Sequence, residues 1–276
     1  MKKVFAFVFP TAMMLLLCNH LNAQNVRITN YEQMTNTFAS VNGASVLASN
    51  VYVLDSIDTQ YNGFHIASFD VNLGGNEITK KMLVDLQTAA AEKPLQELVL
   101  VKQTPTGKPL EQRTYGSVSV KEIRLPEFNS SSNELARIRI TIQAQTVMIT
   151  DNATVMIAGN PERRNTVNAF KLSIGSLPTQ RVSRVSGLKL IPGQYQYFTI
   201  DVASTDAKTW NTWLRNSLRG GKKEYGTLTL FDQAMSMPVM SFNLTDIEIA
   251  SISASPAQES SAKITVGLRA LLTPGK

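Results

Sequence analysis

The chain has 276 residues, with 27 basic and 21 acidic side chains and a single cysteine. That length suits one large domain or two of ordinary size, and 43% hydrophobic content is that of a globular protein, not a disordered or fibrous one. The charge excess is small and dispersed, in pairs such as Lys80-Lys81, Arg163-Arg164 and Lys222-Lys223, so no stripe suited to a nucleic-acid backbone is present.

Residues 1–23 read as a secretory signal. Lys2 and Lys3 supply the positive start, FAFVFPTAMMLLL the apolar core, and Leu21-Asn22-Ala23 a cleavage site before Gln24. The apolar run is short for a spanning helix, which argues against an uncleaved anchor. Cys18 lies inside this segment behind Leu17, where a lipoprotein signal would carry a small residue. The mature chain would then hold no cysteine, which excludes disulfides, thiolate catalysis and cysteine metal sites. Removing Lys2 and Lys3 leaves 25 basic against 21 acidic residues, a net charge of +4.

Residues 24–50 are polar and weakly patterned and read as an N-terminal arm ordered by a partner or neighbouring subunit. A first structured region spans residues 51–150. It opens with VYVLDSI, then alternates through Phe64, Ile66, Phe69, Val71 and Leu73. Gly74-Gly75-Asn76 is a turn and helix cap. Ile78, Met82, Leu86 and Ala89 or Ala90 then share one helical face, closed by Pro94. ELVLVKQ is a strand covered on both sides. TPTGKPL is a turn. Val118, Val120 and Ile123 mark a strand with a bulge, Asn129 to Asn133 a polar loop, and RIRITIQAQTVMI an alternating strand.

Residues 151–168 read as a linker centred on Asn160-Pro161-Glu162-Arg163-Arg164, and residues 169–276 as a second domain. Phe170, Leu172 and Ile174 open it, and two strands flank Pro192-Gly193. In STDAKTWNTWLRNSLRGG, Trp210, Trp213, Leu214 and Leu218 form one helical stripe. Ser204 or Thr205 is placed to cap its start, and Gly220-Gly221 to end it. GTLTLFD is a half-buried strand, Met235 to Pro238 a turn, FNLTDIEIASISA a strand, AQESSA a loop and KITVGLRALL the last strand.

The two regions superpose in order. Phe69, Val71 and Leu73 fall on Phe198, Ile200 and Val202; Leu98 and Leu100 on Leu228 and Leu230; Pro109 on Pro238. Arg137 through Ala144 falls on Lys263 through Ala270. An internal duplication follows. The expected fold is mainly β: two tandem domains with one order of strands, each with one α-helix.

The order of elements, with STDAKTWNTWLR, GTLTLFDQ, a proline turn and FNLTDIEI, resembles tail tube proteins of contractile-tailed phages and the related tube protein of type VI secretion systems. The resemblance covers roughly residues 166–272, and reaches residues 51–150 through the repeat. It implies that each domain is a β-sandwich or half-barrel of two packed sheets with one flanking α-helix, and that six-fold rings stack into a tube; for a tandem copy it implies three chains making a pseudo-hexamer, with other tube or envelope proteins as further partners. Tail tubes assemble in the cytoplasm. An export signal departs from that pattern and places this chain in the periplasm, on the cell surface or outside the cell.

Chemistry is thinly represented. His65 is the one histidine after the signal, with no nucleophile-elbow pattern beside it, and reads as an ordinary strand residue. One histidine does not anchor the usual zinc sets. Asp201, Asp206 and Asp232 would need to converge to act as paired carboxylates. Trp210 and Trp213 are either a ligand-stacking platform or a helix pinned to a sheet, and their spacing favours the second. Asn152-Ala153-Thr154 and Asn243-Leu244-Thr245 fit glycosylation sequons. No catalytic, cofactor or metal residue is assigned. The expected function is a non-enzymatic, exported, self-assembling structural protein. The alternative is a secreted binding module for a glycan or protein partner using loop tyrosines such as Tyr61 or Tyr195. A secreted hydrolase has no residue set behind it.

Overall fold

The computed structural model describes residues 26–30, 36–56, 64–73, 77–91, 94–151, 165–191, 193–219, 223–254 and 263–275. The signal segment with Cys18, the Gly74-Gly75-Asn76 cap, Tyr61, the linker centre at Asn160 to Arg164, Gly220-Gly221 and the AQESSA loop lie outside these residues.

Alternation of buried and exposed positions builds the strands. In the first half they are β1 (Val26–Asn30), β2 (Asn36–Val41), β3 (Ala44–Ser56), β4 (His65–Asn72), β5 (Leu95–Gln103), β6 (Pro109–Arg124) and, after a two-residue strand β7 (Phe128–Asn129), β8 (Arg137–Asp151). Helix α1 (Glu77–Ala91) lies between β4 and β5 and buries Met82, Leu83 and Leu86. The second half carries β9 (Phe170–Ile174), β10 (Arg184–Ser186), β11 (Gln196–Ala203), helix α2 (Ala207–Ser217), β12 (Glu224–Phe231), β13 (Pro238–Ala254) and β14 (Lys263–Pro274). The architecture is mainly β, with two β units and one helix in each.

All pairings are antiparallel. In the first half they run β3–β4–β8–β6–β5–β2 and return to β3, so six strands close into a barrel, with β1 as a flange on β3. In the second half the order is β10–β11–β14–β13–β12–β9. This is the same path through equivalent strands, but β9 and β10 do not pair, and the second copy stays an open half-barrel. Closure removes strand edges, whereas an open sheet must cover or pair them. Here the β6–β8 excursion of the first half supplies the cover: β7 pairs with β10 through Asn129↔Arg184 and Phe128↔Val185.

The structure corrects several sequence expectations. Residues 36–50 are not an arm; they form β2 and the start of β3 inside the barrel. Among their buried positions, Ala39, Ala44 and Ala48 are small, and Thr37, Phe38 and Ala39 are buried in succession, which blunts the hydrophobic alternation. Asn165 to Asn168 are tied to the first half: Val167 donates to the Glu134 carbonyl at 2.9 Å, and the Ala136 N–H to the Asn165 carbonyl at 2.8 Å. The repeat register also moves. Phe69 pairs with Ile140 and Phe198 with Leu268, so Ile140 corresponds to Leu268 and not to Val266. A slip of two residues keeps every side chain on its face, so alternation alone does not detect it.

Helix α2 begins one turn later than expected. Ser204–Asp206 form a 3-10 turn, and no side-chain cap is made at either junction. Buried Asp206 instead accepts from the Arg181 guanidinium at 2.5 Å. Trp210 and Trp213 are buried with ring centroids 5.9 Å apart, edge to face, as the packing reading requires. Leu218 leaves the apolar stripe and is exposed.

Candidate functional site

The residues with catalytic potential are kept apart. His65 sits half-buried within β4, between Asp55 and Ala144 on its neighbouring strands. Asp201 accepts from the Thr265 hydroxyl at 2.7 Å. Asp206 holds Arg181. Asp232 organises the β12–β13 turn, accepting from the Ser236 N–H and hydroxyl, each at 2.7 Å. These aspartates serve three separate structural purposes, and among the described residues no group of three His, Cys, Asp or Glu side chains converges as a metal site. With both tryptophans buried, the ligand-platform alternative for them is removed.

Two features stand out instead. The first is the seam between the halves. Phe128 is fully buried and packs on Phe170 of the open sheet. Around it, Arg184 meets Glu127 at 2.9 Å and Lys189 meets Glu122 at 2.6 Å. Burial works to raise the Glu122 carboxyl, but hydrogen bonds and charge from Lys189 and Arg124 outweigh it and hold its pKa below the ordinary value. A cleft of 130 Å³ also lies between the halves, lined by Lys80, Leu83 and Val84 of α1 and by Val239 and Met240 of β13.

The second is the outward face of the open sheet. Tyr195, which the sequence marks as a loop tyrosine, lies beneath the Arg269 guanidinium, 4.1 Å from its ring centre. Lys223 Nζ donates to the Tyr195 hydroxyl at 2.9 Å and approaches Glu248 at 3.4 Å; Arg269 approaches the same carboxylate at 3.6 Å. The hydrogen bond to Tyr195 raises the Lys223 pKa, supported by Asp246 and Glu248. Asp246 holds a φ of 53°, where β13 carries one residue more than β12. Beside this charged row runs a neutral one. Ser173, Thr227, Asn243 and Thr273 are consecutive cross-strand neighbours over β9, β12, β13 and β14, facing out because Leu172, Leu228, Leu244 and Leu272 face in. With Tyr225 and Thr245 they line a shallow groove of 550 Å³.

No protein-family model matches the chain, and no curated protein is significantly similar to it in sequence.

Sequence reading had no access to either feature. Phe128 belongs to a two-residue strand whose partner lies 57 positions further on, at Val185. The groove residues come from four strands, and only their registers align them. The Thr-Leu-Thr-Leu alternation of β12 and the Asn-Leu-Thr of β13 were the local signals of a polar outward face.

Proposed function

We propose that this protein is a non-enzymatic structural component that associates with itself through two tail-tube-like units, three chains completing a pseudo-six-fold ring. The observation that carries this reading is the strand path repeated in both halves, with the second copy left unclosed. Two units per chain make a six-unit ring from three chains, and edges that no strand of the chain covers are the natural places for neighbouring chains to pair. Among the described residues, the outer edge of β9 and the Gln145–Asp151 end of β8, which runs past β4, have no second strand beside them. Met148 and Ile149 are exposed on that β8 extension. The signal-like start agrees with assembly after export. No helix among the described residues is long and apolar enough to cross a membrane.

Light scattering with negative-stain microscopy tests the proposal. A trimer or larger species forming rings is expected. A clean monomer at tens of micromolar overturns it.

The alternative, a binding module, draws on a separate observation: the neutral groove on the outward face of the second half.

A further inference from the structure

We propose that the outward groove of the second half binds a neutral glycan, with Tyr225 as the surface on which a sugar ring stacks. The inference does not depend on the self-assembly reading.

The lining chemistry selects the ligand. Ser173, Thr227, Asn243, Thr245 and Thr273 present hydroxyls and one carboxamide, groups that both donate and accept hydrogen bonds. No charged side chain lines the groove. The Glu224 carboxylate lies against Gly175 at the edge of the groove, Lys171 is exposed two residues from Ser173 on the same face of β9, and Lys223, Glu248 and Arg269 are engaged with one another and with Tyr195 in the adjoining row. The lining side chains themselves therefore offer a charged ligand no counter-charge, whereas the hydroxyl pattern of an uncharged sugar finds matching partners among them. The volume of 550 Å³ lies within the usual range for ligand sites, about 300–1,000 Å³. Its shallow form suits a segment of a chain lying across the strands.

Tyr225 supplies the apolar contact. The residue is 64% exposed, which leaves its ring free to make such a contact. The backbone holds it there. Tyr225 stands opposite the extra residue of β13, in the register shift between Glu224 and Gly226, and its carbonyl accepts from the Gly175 N–H at 2.9 Å. Bulges of this kind re-aim a side chain. A Cβ at Gly226 would lie 2.3 Å from the Ser173 carbonyl oxygen, so glycine there lets β9 lie close against β12. The first copy lacks this arrangement: Glu97, Gly116 and Thr146 form the cross-strand row in the equivalent place. Retention of an unburied tyrosine in a neutral polar row is thus specific to the second copy.

Affinity electrophoresis of the full chain through native gels tests this, using a neutral β-glucan, α-glucan or galactomannan, with alginate as the anionic comparison. At least one neutral polysaccharide is expected to retard the protein, and alginate not to. Tyr225→Ala should weaken retardation at least about tenfold, the loss of one stacking contact of roughly 1.4 kcal/mol. Thr273→Lys, which places a charge in the groove, should do the same. Tyr197→Ala, an exposed tyrosine outside the groove, should leave it unchanged. Circular dichroism establishes that each variant is folded. The proposal is overturned if no neutral polysaccharide retards the chain, if both groove variants bind as well as the parent, or if alginate is preferred. A change of oligomeric state in Tyr225→Ala without any glycan effect also overturns it, and reassigns the face to contact between copies.

Discussion

Phe128 and Phe170 meet with ring centroids 5.8 Å apart and planes inclined at 50°, although one belongs to the excursion of the closed barrel and the other to the first strand of the open one. In the first copy, β2 pairs with β3 and shuts the barrel. In the second, the strands at those positions are short and separate, and Phe128 arrives from the other half to occupy the opening. The two units are therefore joined by a shared piece of core. Their buried side chains form one continuous cluster.

Replacing Phe128 with alanine should cost about 3–5 kcal/mol, the usual range for a buried phenylalanine that leaves a cavity. The loss falls on the seam, so denaturant unfolding of the variant should show two transitions, with the open half melting first. Unfolding followed by tryptophan fluorescence reports on that half, because Trp210 and Trp213 are both there. An unchanged midpoint would show that β7 is a surface decoration.

Acid should weaken the same seam. Glu122 is partly desolvated, which opposes ionisation, but Lys189 and Arg124 outweigh this and keep its folded pKa below the ordinary glutamate value. A carboxylate depressed on folding adds stability above its unfolded pKa of about 4.3, and that contribution disappears as pH falls through the lower folded value. Denaturation midpoints measured from about pH 6 to about pH 3 should therefore fall more steeply for the parent than for Glu122→Gln. Equal slopes would remove Glu122 from the account.

Sequence periodicity carried the two-unit β architecture, the place of both helices and the bulge in β6, because each depends on local spacing. It failed where the determinant is local but small, or is not local at all. Ala39, Ala44 and Ala48 are core residues too small to register as a hydrophobic pattern. The hairpin they flank turns at Asn42-Gly43, whose φ values of 48° and 78° are those of a tight hairpin turn, a local signal that the reading of an arm passed over. The repeat was legible, but its register was not, since a two-residue slip leaves the faces unchanged. The Tyr225 groove needs four strands in register, and nothing along one strand specifies its neighbours.

The α2 stripe divides at its end, and stability should follow that division. Trp210 is fully buried, whereas Leu218 is 78% exposed. Trp210→Ala should cost about 3–5 kcal/mol. Leu218→Ser should stay within about 0.5 kcal/mol of the parent. Thermal denaturation of both variants checks the contrast, and a large loss at Leu218 would indicate that this end of the helix is covered in the assembled protein.

Two glycines separate backbone strain from steric exclusion. Gly43 has a φ of 78° and open space where a Cβ would stand, so Gly43→Ala should cost about 1–2 kcal/mol from the left-handed conformation alone. At Gly226 a Cβ would lie 2.3 Å from the Ser173 carbonyl oxygen, and that oxygen is fixed in the β9–β12 pairing. Backbone cannot yield there as a flexible side chain would, so Gly226→Ala should be the more damaging, by displacing β9 from the sheet. Hydrogen exchange should then rise at Lys171 to Ile174 in Gly226→Ala and stay at parental levels there in Gly43→Ala. Because Ser173 forms one wall of the groove beside Tyr225, the same variant should lose glycan retardation while the α2 tryptophans remain protected from solvent. Protection of β9 in both variants would mean that the strand accommodates the methyl group by moving as a unit.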